Sequence, residues 1–400
     1  MDIAKTIFVS IMLGKKTLPV GKLWFYNRKG RQSASFEYNN EWLNNPDRFA
    51  LEPALTLTKG TFHTNYEQSL FGAIGDSAPD RWGRILMQRS NNTGRTLTEL
   101  DYLLKVNDET RQGALRFSEI EGEYLTHGNK NSIPPLIKLP ELLSASEKFL
   151  ANKETAYDLR LLLVPGSSLG GARPKASVFD KDGSLAIAKF PRKDDDTDIV
   201  SWEAVALSLA EKAGINVPEF RLETIAGKSV LIIKRFDRAN SNRVPFLSAM
   251  SMLGAANNDG QIYGYIDISD ALRQYGEQPD KDREELWRRM VFDIMISNMD
   301  NHLRNHGFLY STHGWILSPA YDLNPDIEKK IFATTIDCTG AQNTIELALK
   351  NIRAFNLSEQ RAKEILYEVE TAVAGWRATA KFFGISKHNA DKMKSAFNPN

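Results

Sequence analysis

The stretch from Met290 to Pro325 reads MVFDIMISNMDNHLRNHGFLYSTHGWILSPAYDLNP and carries the pattern that decides the fold class. Asp300 is followed by Asn305, which gives the spacing D-x-x-x-x-N, and Asp322 comes seventeen residues after Asn305. A carboxylate base near oxygen ligands for a hard cation is what phosphoryl transfer requires, because that reaction depends on positioning and charge neutralisation. A helix end capped by Asn and Asp before a polar loop has the same composition, so the rest of the chain must distinguish the two interpretations.

The length and composition indicate a globular protein with more than one structural unit. Single hydrophobic cores stop growing at about 250–300 residues, so a chain of 400 residues predicts two or three units. The net charge of +1 offers no global attraction for nucleic acid or an anionic membrane. The one cysteine, Cys338, excludes an intrachain disulfide framework and fits a reducing cytoplasm. No apolar run approaches the ~18 residues of a membrane span, so we expect a cytoplasmic protein without a membrane partner.

The order of predicted elements is strand-rich first and helical afterwards. Alternating strands and turns over residues 6–39 predict a small antiparallel sheet, and Pro79–Arg89 is predicted to be a helix. The polar stretch 122–135 is the best candidate for a boundary. After it we predict a helix at 138–150 and a strand at 158–166.

The second half begins with a hairpin signal and then becomes helical. Asp182-Gly183 lies between two alternating runs, which predicts a β-hairpin. Helices are predicted near 198–213, 247–255, 266–274, 282–299, 344–352 and 358–384. We therefore predict an α+β, two-lobed protein-kinase-like fold. Its parts are a β-rich N-terminal subdomain at 1–122, an N-lobe-like part at 136–245 and a helical C-terminal lobe at 246–400.

A glycine-rich loop in PGSSLGGARPKASVFD, residues 165–180, is a candidate phosphate-binding element. Glycines allow backbone N–H groups to approach a phosphate without hindrance from a Cβ atom. The loop matches neither G-x-G-x-x-G nor the Walker A pattern, and an ordinary glycine-rich connection remains the alternative. The candidate nucleotide contacts are Ser167, Ser168, Gly170, Gly171 and Lys175.

The residues after this loop follow the order of a protein kinase. Lys189 ends an apolar strand, where a kinase keeps its phosphate-binding lysine, and Glu203 in the next helix could pair with it. The strand that leads into the helical part corresponds to a hinge whose backbone meets adenine. Its candidate positions are Lys234, Arg235 and Phe236. The order of loop, lysine, glutamate, hinge and Asp300 motif favours the kinase interpretation over a capped helix.

A zinc site competes with this interpretation. His302 and His306 are four residues apart and His313 is near, from a total of six histidines. Gly307 argues against a long helix there, and H-L-R-N-H lacks the glutamate of H-E-x-x-H. We therefore place His302 in the nucleotide site, where it orders the catalytic loop, and simple packing of its ring is the alternative.

The blocks SSLGGARPK, IAKFP, IKRFDR, ISNMDNHLRNHGF and AYDLNP resemble the HipA family of toxin kinases from bacterial toxin–antitoxin systems. The segment FGAIGDSAPDRWGR is similar to the small N-terminal domain of that family. The resemblance implies an ATP- and Mg²⁺-dependent Ser/Thr kinase with Asp300 as base and Asn305 and Asp322 as metal ligands. It also implies that Lys189 binds the ATP phosphates and that Ser168 is autophosphorylated, although the adjacent Ser167 competes for that role.

The resemblance also implies partners. They are a protein substrate, such as an aminoacyl-tRNA synthetase, and a HipB-like helix-turn-helix antitoxin through which operator DNA is mainly contacted. Two other classes of function remain open. One is a kinase-fold module that binds ATP or antitoxin without transfer, and the other is a kinase acting on a small molecule.

Overall fold

The computed structural model describes residues 5–124, 133–166, 168, 170–239, 242–256, 260–340 and 342–397. The chain divides into two compact units. The first unit comprises residues 1–194, 225–228 and 232–247, and the second comprises residues 195–224, 229–231 and 248–400. The predicted three-part division stays a prediction, and residues 125–132 of its proposed boundary lie outside the described residues.

A five-stranded antiparallel sheet begins the first unit, as the alternation over 6–39 predicts. Its strands are β1 (Lys5–Leu13), β2 (Lys16–Arg28), β3 (Arg31–Tyr38), β4 (Phe62–His63) and β5 (Leu115–Ser118). The spatial order is β4-β3-β2-β1-β5. In β1 the alternate side chains of Ile7, Val9 and Ile11 are at most 1% exposed, which is the period of two that a sheet with one buried face imposes.

The first unit also contains helices. They are α1 (Asn40–Leu43), α2 (Gly72–Gly75), α3 (Arg81–Arg89), α4 (Glu99–Lys105), α5 (Leu139–Leu150) and α6 (Ala156–Gly166). The helices predicted at 79–89 and 138–150 are confirmed, and α3 begins after Asp80, whose carboxylate accepts the N–H of Arg81.

The strand predicted at 158–166 is wrong, because this segment is the body of α6. A continuous apolar run cannot distinguish a buried strand from a buried helix. The deciding feature lies just before it. Thr155 Oγ1 accepts the N–H of Asp158 at 3.2 Å, and Asp158 Oδ2 accepts the N–H of Thr155 at 2.8 Å. This reciprocal pair is a capping box, which starts a helix.

The predicted Asp182-Gly183 hairpin is confirmed. Strands β6 (Lys175–Phe179) and β7 (Leu185–Lys189) are antiparallel, and Gly183 takes the left-handed φ of +78° that the turn requires. The hairpin register sets Lys175 directly opposite Lys189. Strands β8 (Phe220–Ile225) and β9 (Lys228–Lys234) complete a sheet of order β6-β7-β9-β8, and β10 (Arg238–Ala239) pairs with β11 (Asn242–Arg243).

The second unit is mainly helical. Its helices are α7 (Ile199–Lys212), α8 (Ala249–Met252), α9 (Tyr265–Tyr275), α10 (Pro279–Met295), α11 (Ile345–Lys350), α12 (Glu359–Ala374), α13 (Trp376–Phe382) and α14 (Lys387–Lys392). A further sheet has the order β12-β13-β14, from β12 (Phe246–Ser248), β13 (Gly307–Tyr310) and β14 (Trp315–Leu317). The single helix predicted at 358–384 is divided at Gly375. Within the described residues, no helix combines the length and the apolar character needed to cross a bilayer.

Candidate active site

The loop that carries Asp300 is ordered by its own backbone. Helix α10 ends at Met295, and a 3₁₀ turn spans Leu303–Asn305. The carbonyl oxygen of Asp300 accepts the N–H of His302 at 2.9 Å and the Nδ2 group of Asn305 at 3.2 Å. The Asp300 carboxylate is 60% exposed, so it can meet a substrate from solvent. Asp300 and Asn305 are thus two ends of one compact turn.

The segment of Asp322 is bonded to this loop at two points. The hydroxyl of Tyr321 donates to the carbonyl of Arg304 at 2.7 Å, and the N–H of Asn324 donates to Asn298 Oδ1 at 3.2 Å. Asp322 lies between these contacts with a φ of +59°, a conformation that few residues other than glycine adopt. Bonds on both sides hold Asp322 in that conformation next to the Asp300 loop, so the structure brings the predicted catalytic residues together.

A buried hydrogen-bond network lies beneath the loop. Asp293 of α10 accepts the hydroxyl of Tyr265 at 2.7 Å, the Nδ2 group of Asn298 at 2.8 Å and the Nδ2 group of Asn301. Burial raises the pKa of Asp293 to about 6 although these bonds oppose the rise. Because Asn298 also accepts from Asn324, the network connects α10 with both the Asp300 loop and the Asp322 segment.

The three histidines do not share a helical face. His302 precedes the 3₁₀ turn with extended backbone, and His306 follows it in the same conformation. His306 is 3% exposed with its ring edge-on to Tyr265, and burial lowers its pKa to about 3, so it is neutral. His313 is exposed. Among the residues that the structure describes, no three His, Cys, Asp or Glu side chains form a group that could hold a metal ion.

The residues at the Asp300 loop fit a magnesium ion. Mg²⁺ keeps several waters and is commonly held by one or two carboxylates together with phosphate oxygens, so it needs no cage of three acids. The amide nitrogen of Asn305 is engaged by the Asp300 carbonyl, which leaves its oxygen as the half of the amide suited to a cation. Asp322 supplies the carboxylate on the segment bonded to the same turn.

The glycine-rich loop belongs to the first unit and follows helix α6 instead of a strand. The N–H of Gly171 donates to Asp80 Oδ2 at 2.9 Å, and its carbonyl accepts the N–H of Trp82 at 3.0 Å. Gly171 has a φ of +76°, and a Cβ atom there would lie 2.7 Å from Lys175 Nζ. Lys175 Nζ donates to the carbonyl of Gly170. Helix α3 therefore holds the loop in a closed turn.

Ser168 lies inside this turn. It is 3% exposed, and its Oγ is buried without a hydrogen-bond partner among the described residues. Ser167, the competing serine, lies outside the described residues.

Two lysines face each other across the hairpin that follows the loop. Lys175 and Lys189 are directly opposed, so their side chains lie on the same face of the sheet. The hairpin register therefore brings two of the predicted nucleotide contacts to one face of the sheet.

The predicted hinge residues have differing environments. Lys234 Nζ lies 3.8 Å from Asp182, and Phe236 packs on Phe246 with ring centroids 6.3 Å apart. Arg235 is 5% exposed and its guanidinium donates to Asp237, while its backbone N–H donates to Leu185 at 3.0 Å. The side chain and the N–H of Arg235 are thus both engaged within the protein.

Glu203 is 3% exposed within α7. It belongs to the second unit and Lys189 to the first, so the predicted pairing between them stays a prediction.

Sequence reasoning missed the supporting residues of the site. Asp293 is a single acid in the apolar run MVFDIMI, and that isolation was a usable signal of a buried, hydrogen-bonded carboxylate. Tyr265 lies twenty-eight residues earlier and has no local signal. Trp82 is packed at 1% exposure, and its indole N–H also donates to the carbonyl of Lys175 at 2.9 Å.

Comparison with known proteins defines the class. A chain of the solved Shewanella oneidensis MR-1 complex of HipA, HipB and operator DNA has the same fold, with a TM-score of 0.70 at 16% identity. The match covers 97% of this chain and 95% of that one. The predicted α+β class is thereby confirmed.

The sequence comparisons then give the family. The model of the HipA-like C-terminal domain matches residues 167–376, and the model of the HipA N-terminal domain matches residues 11–118. The chain belongs to the HipA family.

Other relatives carry kinase names. The serine/threonine-protein kinase CtkA of Helicobacter pylori is 26% identical over 167 residues, which are 40% of this chain and 51% of the relative. A Haemophilus influenzae protein, named as a candidate kinase, is 24% identical over 208 residues, or 46% of this chain and 57% of its own length. The chain thus spans about half the length of these relatives.

Proposed function

We propose that this protein is a toxin-type Ser/Thr protein kinase that transfers the γ-phosphate of ATP to a protein hydroxyl. The observation that carries the proposal is the convergence of the Asp300 turn and the Asp322 segment, joined by the Tyr321–Arg304 and Asn298–Asn324 bonds. It combines an exposed carboxylate with an amide and a carboxylate suited to Mg²⁺.

Each group has a distinct role in this proposal. Asp300 accepts the proton of the attacking hydroxyl. Asn305 and Asp322 hold Mg²⁺, which when bound neutralises charge on the phosphates. Lys175 and Lys189 bind phosphate oxygens from one face of the β6–β7 hairpin. The glycine-rich loop adds backbone N–H donors, and the segment at Lys234–Phe236 receives adenine.

We also propose that phosphorylation of Ser168 limits the activity. The Ser168 side chain is almost completely buried, so it can be modified only after the loop leaves its closed turn. A phosphate adds a charge of about −1.5 to −2, which cannot return to a buried position without a compensating partner. Repulsion between this phosphate and the phosphates of ATP would also limit the activity. Modification of Ser167 is the alternative.

The proposed partners follow from the family and from the complex in which its Shewanella member was solved. We propose a HipB-like helix-turn-helix antitoxin that neutralises the kinase in the cytoplasm and carries most of the contact with operator DNA. The proposed substrate is a protein such as an aminoacyl-tRNA synthetase.

The test is the intact mass of the purified protein before and after Mg·ATP, with peptide mapping. We expect a phosphate-sized gain at Ser168 that Asp300→Asn abolishes while ATP still binds. Asp322→Ala should lose Mg²⁺-dependent ATP binding. Asp270→Asn is the matched control, because Asp270 is a helix-surface acid with 55% exposure.

The other outcomes separate the remaining functions. A gain at Ser167 keeps the kinase and moves the modified residue by one position. ATP binding without phosphate transfer to the chain or to any protein of a cell lysate would favour the binding module. Transfer to metabolites alone would favour a small-molecule kinase.

A further inference from the structure

We propose that Lys329 is a catalytic residue whose ammonium group contacts the transferred phosphoryl group beside Asp300. This inference rests on the proposed function and adds a residue that no motif predicts. Lys329 Nζ lies 2.6 Å from Asp300 Oδ1. The two side chains are 48% and 60% exposed, so the ion pair contributes little to stability and its position calls for another explanation.

The backbone that carries Lys329 is fixed at both ends. Asp326 Oδ1 accepts the N–H groups of Glu328 at 2.7 Å and of Lys329 at 3.0 Å, which forms a turn around one carboxylate. The N–H of Asp326 donates to the carbonyl of Ser297 at 3.1 Å.

Beyond the lysine, the N–H of Ala333 donates to the carbonyl of Met299 at 2.9 Å. Residues 326–333 therefore run beside the residues that precede Asp300, and the backbone delivers Lys329 to the carboxylate.

The residues directly after Asp300 do not supply a fixed positive charge. Asn301 is 5% exposed and its amide is committed to Asp293 and Tyr265. His302 precedes the 3₁₀ turn, and its Nδ1 is buried without a hydrogen-bond partner among the described residues. A transferring phosphoryl group spreads negative charge over three oxygens and is stabilised by lysine, arginine or metal cations. Lys329 is placed to provide such a cation.

The geometry of transfer brings the phosphoryl group within reach of this lysine. The base lies about 2.6–3.2 Å from the attacking oxygen, and that oxygen lies about 3–3.5 Å from phosphorus. The hydroxyl oxygen forms the new bond to phosphorus, its proton passes to Asp300, and the bond to the bridging oxygen breaks with its electron pair leaving on ADP. Lys329 exchanges no proton and stabilises charge on the phosphoryl oxygens.

The test compares Lys329→Met, Lys329→Arg and Lys330→Met with the wild type. Lys330 is the matched control, because it is the next residue of the same exposed turn. Phosphate incorporation from labelled Mg·ATP gives kcat and KM, and equilibrium binding gives the affinity for Mg·ATP.

We expect Lys329→Met to lower kcat at least about tenfold with Mg·ATP affinity changed less than about twofold, since the contact forms mainly in the transition state. Lys329→Arg should recover part of the rate, and Lys330→Met should match the wild type. Unchanged or faster transfer by Lys329→Met overturns the inference and leaves the proposed function intact; a faster rate would make the ion pair inhibitory. An inactive wild type overturns the proposed function and this inference together.

Discussion

Replacement of Asp293 by asparagine tests the network that supports the active site. The substitution keeps the side-chain volume but replaces one oxygen by an NH₂ donor. The native carboxylate accepts from Tyr265 and Asn301 on Oδ2 and from Asn298 on Oδ1. If the new amide oxygen faces Tyr265 and Asn301, its nitrogen opposes the nitrogen of Asn298. If the Asn298 amide then rotates to turn its oxygen toward the new nitrogen, the Asn298 nitrogen faces the N–H of Asn324. In the native protein the Asn298 oxygen accepts that N–H.

Either arrangement leaves one buried donor without an acceptor, at a cost of about 1–3 kcal/mol. An opposing effect depends on pH. Burial raises the pKa of Asp293 from 3.8 to about 6. Stability from its protonated form is therefore fully present below pH 3.8 and is lost as the pH rises through 6. Between about pH 4.5 and about pH 7.5 this loss amounts to about 2 kcal/mol in the wild type, and the asparagine variant does not share it.

The expected result is a variant that is less stable than the wild type at low pH and nearly equal to it at neutral pH. Urea unfolding at both pH values gives the free energies, and Asp270→Asn on the surface of α9 is the control. Release of the Asn298–Asn324 bond should also weaken Mg·ATP binding about tenfold, which corresponds to about 1.4 kcal/mol. A difference in unfolding free energy that does not change between the two pH values would refute the reasoning.

Three further predictions concern residues of the first unit. Burial raises the pKa of Glu52 to about 8, so the stability that its protonated form contributes is lost as the pH rises through 8. Glu52→Gln should therefore have a higher melting temperature than the wild type at about pH 9, and a lower or equal one at about pH 5. Burial raises the pKa of Asp237, but Arg235 and Arg238 outweigh it and hold the pKa below its ordinary value of 3.8. The stability that ionised Asp237 contributes is therefore lost as the pH falls below 3.8. Asp237→Asn should lower the free energy of unfolding in urea by about 3–5 kcal/mol at neutral pH, because buried guanidinium groups lose their counter-charge. Asp80→Ala removes the acceptor of the Gly171 N–H, so hydrogen exchange of the glycine-rich loop should accelerate about tenfold, and an unchanged rate would mean that α3 does not hold the loop.

Local chemistry explains which parts of the fold were predictable. The Asp182-Gly183 turn needs only a residue that tolerates a left-handed φ between two alternating runs, and the structure has that hairpin. The strand predicted at 158–166 failed because the apolar run was weighed without the Thr155–Asp158 capping box before it. Both signals lie within a few residues of the element that they specify.

Long-range contacts explain what the sequence alone could not provide. The helix predicted to reach residue 299 ends at Met295, and Ser297 then takes a φ of +52°. The N–H of Asn298 still bonds to the carbonyl of Asp293, while its side chain joins a carboxylate whose other donor is Tyr265. The bend depends on a partner from α9, so no local pattern could place it.

The division between local signals and long-range contacts also applies to the proposed chemistry. Asp300 and Asn305 are recognisable because phosphoryl transfer restricts which residue types can act at that spacing. Asn298 and Lys329 follow no such spacing, since many side chains can brace a loop or place a cation from another segment. Their roles depend on bonds to Asn324 and Asp300 that exist only in the folded chain. A motif therefore predicts the reacting groups, whereas the groups that hold or neutralise them must be found in the structure. Substitution of those supporting groups will separate positioning from chemistry.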